Sequence, residues 1–432
     1  MAVLPMEPAD FLLHDIGLLA TLRGPVPRRG PALRDLGLVE GAAVAARDGR
    51  IVAAGPEAEV RGAVRLTPEA AVLDAGGAAV LPGFVDAHTH VCFAGDRDDE
   101  VRRRLAGESY REIAAAGGGI VRTVAATRAA SRGELAGGLR ARLDEMLLCG
   151  TTTAEVKSGY GLSTEAEVRS LEAIAAAARA HPVTVVPTFL GAHEVPVEHR
   201  PDRAAYVRLL VEEMIPEVAR RGLARFCDVF CEEGVFTVEE SRAVLLAARD
   251  HGLALRVHAD ELAGTGGAEL AAELGARSAD HLLFVSEAGM RALAAAGVAA
   301  VVLPAAAFYL RLGRFAPARA LVEHGAPLVV ASDANPGGGL SPSLPFAMAV
   351  ACFAMGLALE EAIAAATLNA AWSLEEHAHA GSVEPGKRCD LVVLRGPRLL
   401  DLVRVGVPAV RTVIKDGRVV VREGCLAAEE AA

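Results

Sequence analysis

Several protein classes are excluded by what this 432-residue chain does not have. It has no basic excess: 44 Lys and Arg against 55 Asp and Glu leave a formal charge of −11, which counts against nucleic acid or an anionic membrane as partner, because both need a basic face. It has no fibrous or disordered composition, since 52% hydrophobic and 23% charged residues with 44 Gly and 22 Pro belong to a globular fold. No positive residue precedes Arg23, so the first residues lack the basic start of a signal peptide, and the expectation is a cytoplasmic protein. Cys92, Cys149, Cys227, Cys231, Cys352, Cys389 and Cys425 are odd in number and follow no zinc-finger spacing, as suits a reducing compartment. Long apolar runs are also missing: residues 292–310 are broken by Gly297 and Pro304, and residues 344–359 are too few to span a bilayer, so both read as core. A small molecule or a protein remains as partner.

The length allows three ordinary domains, or one large α/β barrel with an appendage. Residues 43–54 alternate apolar positions around Asp48-Gly49, and residues 410–422 do the same around Asp416-Gly417, so each reads as a β-hairpin. Neither covers its apolar face alone. Residues 1–80 and 383–432 are therefore expected to meet as one small β-sandwich domain. Between them, residues 81–382 alternate strand and helix. Thr237-Val238-Glu239-Glu240 is a capping box opening a helix that runs to His251 and stops at Gly252. A strand is predicted at 253–258, a helix at 265–274, a strand at 276–281, a helix at 286–296, a strand at 298–303, a helix at 314–324 and a strand at 327–332. These are βαβ units of a parallel sheet, best accommodated by a (β/α)₈ barrel, with an open doubly wound sheet as the alternative.

Ligand-type residues sit at the ends of these strands. Asp86-Ala87-His88-Thr89-His90 follows an apolar run, and in extended chain residues i and i+2 face the same side, so both imidazoles can reach one metal. An isolated His-x-His is more simply a pair of histidines in a polar loop. Here, however, His258 closes one strand, His281 closes the next, and Asp333 follows another, at the strand ends where such barrels carry their chemistry. His88, His90, His258 and Asp333 are assigned to one divalent metal, zinc or iron, since magnesium and calcium prefer oxygen shells. Glu261, in His258-Ala259-Asp260-Glu261, brings a carboxylate beside that site without being a ligand and can carry a proton to a leaving nitrogen.

Leu81-Pro82-Gly83-Phe84-Val85-Asp86-Ala87-His88-Thr89-His90 resembles the first metal strand of the amidohydrolase superfamily. The stretch from Gly381-Ser382-Val383-Glu384-Pro385-Gly386-Lys387 to Asp390-Leu391-Val392-Val393-Leu394 resembles the segment that returns such chains to their β domain. Gly117-Gly118-Gly119-Ile120, Lys157-Ser158-Gly159-Tyr160-Gly161-Leu162, Thr188-Phe189-Leu190-Gly191-Ala192-His193 and Asp333-Ala334-Asn335-Pro336-Gly337 narrow the resemblance to the imidazolonepropionase family over nearly the whole chain. The resemblance implies a (β/α)₈ barrel with a small β-sandwich, and hydrolysis of 4-imidazolone-5-propanoate to N-formimidoyl-L-glutamate in histidine degradation. It also implies a homodimer, usual for that family, and the same four metal ligands. By motif, Arg97 and Tyr110 hold the propanoate, and Tyr160, His193, Asn335 and Gly337 are substrate contacts. Glu261, also a substrate contact, His281 and Asp333 handle protons and charge. Gly338 departs from the pattern, because a small hydroxyl residue is expected there and one hydrogen bond to substrate is lost.

An acidic chain that holds a carboxylate needs a local cation, and Arg97 lies within loop reach of His90. Its other reading is a partner for Asp96, Asp98 or Asp99. His14, His181, His199, His251, His324, His377 and His379 have no comparable placement and read as structural or exposed. Three alternatives stay open: a two-metal cyclic amidase bridged by a carbamylated Lys157, a heterocycle deaminase, and an inactive barrel serving as a scaffold.

Overall fold

The computed structural model describes residues 6–108, 112–113 and 117–427. The N-terminal part supplies β1 (Glu7–Ala20), β2 (Leu38–Arg47), β3 (Arg50–Pro56), β4 (Val64–Asp74) and β5 (Ala79–Pro82). The middle supplies β6 (Phe84–Asp86), β7 (Thr151–Lys157), β8 (Thr184–Ala192), β9 (Phe226–Cys231), β10 (Ala254–Ala259), β11 (Ser278–His281), β12 (Ala299–Val302) and β13 (Leu328–Val330). The C-terminal part adds β14 (Leu391–Leu394), β15 (Val410–Lys415), β16 (Arg418–Arg422) and β17 (Cys425–Leu426).

Both ends of the chain build one nine-stranded mixed sheet in the order β17-β16-β15-β14-β5-β1-β2-β3, with β4 also paired to β1. The ends join where β5 and β14 run antiparallel, with Val80 opposite Val393. Asp48 and Gly49 have φ of 50° and 76°, and Asp416 and Gly417 have 49° and 73°, the left-handed pair that a tight two-residue hairpin turn requires. The two turns touch: a Cβ on Gly49 would lie 3.0 Å from the Asp416 carbonyl oxygen. Phe11, Leu13, Ile16, Val44, Val80, Leu391, Val393 and Ile414 fill the core beneath.

Strands β6 to β13 form one eight-stranded parallel sheet in chain order. Its edges meet, because the Asp333 amide donates to the His88 carbonyl at 3.0 Å and the His90 amide to the Ala334 carbonyl at 2.9 Å. The result is a closed parallel barrel, and the open doubly wound sheet is not adopted. Period-2 alternation sorts the strands. Val156, Val229, Leu255, Val257 and Val330 pack outward into the main core around the helices, which leaves Glu155, Lys157, Asp228, Arg256 and His258 facing the interior.

The helices expected around residue 240 and from residue 286 form as Val238–Asp250 and Glu287–Ala296, capped by Thr237 and Ser286. The helix expected at 314–324 is shorter, Ala318–Glu323, because Pro317 is its N-cap and disfavours helical backbone at the residue before it. Residues 292–310 divide between a helix end, β12 and the helix Pro304–Tyr309. No helix of the described residues is long and apolar enough to cross a membrane, and the seven cysteines are free.

Candidate metal centre

Four side chains from three strand ends converge at one mouth of the barrel. His88 Nε2 lies 3.1 Å from His90 Nε2, and His258 Nε2 lies 3.3 Å from the same atom. Asp333 Oδ1 is 3.7 Å from His88 Nε2 and 3.5 Å from His90 Nε2. All four residues are buried. His281 borders the group, its ring 5.2 Å from that of His258 and 5.4 Å from that of His88. Asp333 and His281 have φ of 53° and 78°, left-handed conformations that cost energy in residues other than glycine and collect at functional sites.

What lies behind the histidines decides what their inner nitrogens can do. His88 Nδ1 is 2.6 Å from Asp280 Oδ2, and His258 Nδ1 is 3.0 Å from Asp228 Oδ2. A carboxylate fixes the proton on the nitrogen it faces, so each Nε2 points inward as a lone pair. The Nε2 atoms of His88 and His258 both face His90 Nε2, and imidazole with carboxylate donors suits zinc or iron. Behind the histidines Lys157 pairs with Glu155 and Asp228, and Arg256 with Glu155 and Asp280, so the supporting carboxylates are themselves held by buried cations. Burial, and next the positive charge of Lys157, hold His88 well below the usual histidine range. Burial raises Asp333 to about 7, and a cation at the convergence point would bring it down again.

This supporting layer is where reading the strands fell short. Asp228, Asp280, Arg256 and Glu155 carry no motif; the available signal was parity, since Arg256 is two residues from His258 on the same face of β10. Lys157 shows its own role. Its Nζ is fully buried, 2.6 Å from Glu155 Oε1 and 2.7 Å from Asp228 Oδ2, so it is an ammonium in an ion-pair network. Carbamylation needs a neutral amine, and this geometry speaks against a lysine bridge between two metals.

Glu261 comes to the site on the loop after β10, with Oε1 3.5 Å from His281 Nδ1. Burial, then the charges of Asp333 and Glu232, raise its pKa well above the usual carboxylate range. Glu232 fixes that loop: its carboxylate accepts from the amides of Glu261 at 2.8 Å, Leu262 at 2.9 Å and Ala263 at 3.1 Å. His193 stacks on His90 at 4.9 Å with 20° between the rings, and Tyr160, buried, lies 5.3 Å from His193. His193 Nδ1 faces the Gly159 carbonyl at 2.9 Å, which leaves Nε2 for the site, and burial pushes its pKa down to about 3.

Arg97 is buried and bonded to Glu100, Nε to Oε2 at 2.8 Å, so among the ion pairs of the described residues it meets Glu100 rather than Asp96, Asp98 or Asp99. A Cβ on Gly337 would meet Arg97 Nη1 at 2.2 Å. The guanidinium therefore lies against the Asp333-to-Gly337 loop. Asn335 serves that loop: Nδ2 donates to the Asp333 carbonyl at 2.7 Å, and Oδ1 accepts from the amides of Gly337 at 2.8 Å and Gly338 at 2.6 Å. A side chain at Gly338 would press on Leu310, 3.1 Å from an added Cβ, so the missing hydroxyl has little room here. Tyr110 lies outside the described residues.

Comparison with known proteins follows the same lines. A model of the amidohydrolase family matches residues 79–420. An imidazolonepropionase of Symbiobacterium thermophilum is 53% identical over 421 residues, 97% of this chain and 99% of that protein. One from Geobacillus kaustophilus is 49% identical over 94% of this chain and 96% of its own length. Among solved structures, a zinc-bound adenosine deaminase from Xanthomonas campestris superposes with a TM-score of 0.74 at 20% identity, covering 99% of this chain and 96% of its own. A zinc complex of atrazine chlorohydrolase from Arthrobacter aurescens gives 0.73 at 18% identity, covering 97% of each. At those identities the structural likeness is one of fold.

Proposed function

The chain belongs to the amidohydrolase family and, within it, to the imidazolonepropionases, and from this premise we infer that it hydrolyses 4-imidazolone-5-propanoate to N-formimidoyl-L-glutamate, a step of histidine degradation. The observation that carries the reading at this site is the convergence of three Nε2 atoms and Asp333 beside a buried Glu261. His88, His90, His258 and Asp333 would hold one divalent metal, zinc or iron. When bound, that ion supplies the Lewis acidity that makes water a nucleophile near neutral pH.

The protein's own groups divide the remaining work. Asp333, whose carboxylate reaches the convergence point, is assigned to take a proton from the attacking water. Burial and its acidic neighbours raise the pKa of Glu261 well above the usual carboxylate range, and it is assigned to protonate the departing ring nitrogen; an unprotonated nitrogen anion would be a poor leaving group. His281, kept neutral by burial, is a hydrogen-bond donor for charge developing on the ring carbonyl oxygen. Tyr160 and His193 line one side of the site and are assigned to the ring. Arg97, with Tyr110 by motif, is assigned to the propanoate, and the Asn335-to-Gly338 loop to closing that end. The substrate is thus a small molecule bearing a carboxylate.

The test is product identity. Purified protein given 4-imidazolone-5-propanoate should yield N-formimidoyl-L-glutamate with no free ammonia. No turnover of this substrate, with ammonia released instead from a heterocycle bearing an exocyclic amine, would establish the deaminase alternative.

A further inference from the structure

The loop that carries Tyr160 is folded around a carboxylate to which the reaction gives no part. Glu167 sits in the first turn of the helix Thr164–Arg179, and its side chain is fully buried. Its partners are main-chain amides: Gly159 at 3.0 and 3.2 Å, Gly161 at 2.7 Å and Leu162 at 2.8 Å. A buried carboxylate is costly unless it is hydrogen-bonded, and three N–H groups with the positive end of a helix dipole meet that requirement. The loop adopts unusual backbone to do so. Gly159 has φ of 104° and Leu162 of 51°, and a Cβ on Gly161 would lie 2.6 Å from the Glu167 nitrogen.

Turning those amides toward Glu167 has two consequences on the other side of the loop. Tyr160, between the two glycines, is directed to the site, 6.2 Å from the His90 ring and 5.3 Å from that of His193. The Gly159 carbonyl meets His193 Nδ1 at 2.9 Å, which sets the tautomer of the imidazole stacked on His90. We propose that Glu167 is a positioning residue for substrate binding, which by gathering the amides of Gly159, Gly161 and Leu162 sets both the Tyr160 ring and the His193 tautomer. This rests on the reading above that Tyr160 and His193 face the substrate.

Glu167→Gln tests it. The amide keeps the shape but presents an NH₂ to main-chain donors, so the loop must shift. KM for 4-imidazolone-5-propanoate should rise roughly ten- to a hundredfold, the worth of a hydrogen bond to a buried charged group. Turnover at saturation should change by less than about threefold, the pattern of lost uniform binding, with metal content unaltered. The deciding readout is a double-mutant cycle with Tyr160→Ala. If Glu167 acts through Tyr160 as well as His193, Glu167→Gln should raise KM by a clearly smaller factor in the Tyr160→Ala background than in the native one, the remainder being the His193 share; fully multiplied effects, or an unchanged KM in Glu167→Gln, would overturn the proposal. Should Glu167→Gln not accumulate as folded protein, Glu167→Asp, which withdraws the carboxylate by one methylene, is read by the same cycle. An unchanged KM in Tyr160→Ala would remove the substrate reading of Tyr160, and the proposal with it. Failure of Glu167→Gln alone leaves that reading standing.

Discussion

His258 and Lys157 share one oxygen: Asp228 Oδ2 is 3.0 Å from His258 Nδ1 and 2.7 Å from Lys157 Nζ. Burial works to lower the lysine pKa, but Asp228 and Glu155 outweigh it and hold Lys157 above its ordinary range. The ammonium in turn keeps Asp228 ionised behind the histidine. Asp228→Asn should therefore weaken metal binding by about ten- to a hundredfold, the usual cost of removing an outer partner of a ligating histidine. It should also destabilise the fold by up to about 3 to 5 kcal/mol, because a buried cation loses one of its two counter-ions. Chelator competition and denaturant unfolding measure the two effects separately. Unchanged metal affinity would show that His258 is oriented by something other than Asp228.

Glu261 gives a pH signature. Its pKa is raised by burial, then by the charges of Asp333 and Glu232, so the active acid is present below that raised pKa and is lost as pH rises through it. The rate at saturation should fall on the alkaline side. Glu261→Gln should lower turnover by about 10² to 10⁴, the range for general acid-base groups, and remove that alkaline limb while retaining the metal. Loss of metal in this variant would instead make Glu261 a ligand.

Arg97 and Gly337 are coupled by space. A methyl at 337 would stand 2.2 Å from Arg97 Nη1, and the yielding group is the end of a flexible side chain, so Gly337→Ala should fold normally but move the guanidinium. It should reproduce a weaker form of Arg97→Met, for which kcat/KM should fall about 10- to 150-fold, the worth of about 1.5 to 3 kcal/mol for a charge-assisted pair. Arg97→Lys should recover part, keeping charge without the planar fork. Both losses should be confined to substrates bearing the carboxylate. Equal losses on a ring without it would mean that Arg97 shapes the site through Glu100.

The parts of this fold that sequence reveals are those set by local rules. The Asp48-Gly49 and Asp416-Gly417 hairpins, the capping box at Thr237 and the histidines two apart each depend on a few neighbouring residues. The interior network does not. His88 and Asp280 are 192 positions apart and meet only because the barrel closes, and nothing beside Lys157 in the chain announces Asp228. Arg97 shows the same limit at short range: its three aspartate neighbours were the obvious partners, yet Asp99 pairs with Arg122 and the helix Asp98–Leu105 turns Glu100 inward to Arg97. Helix geometry, rather than adjacency, chose the carboxylate.

The central claim is a one-metal hydrolase whose ligands are His88, His90, His258 and Asp333. Its most direct test is to strip the protein with chelator and titrate zinc or iron(II) back while following conversion of 4-imidazolone-5-propanoate. Activity should rise linearly and break at one equivalent of metal per chain. A break at two equivalents, or full activity in the stripped protein, would contradict it.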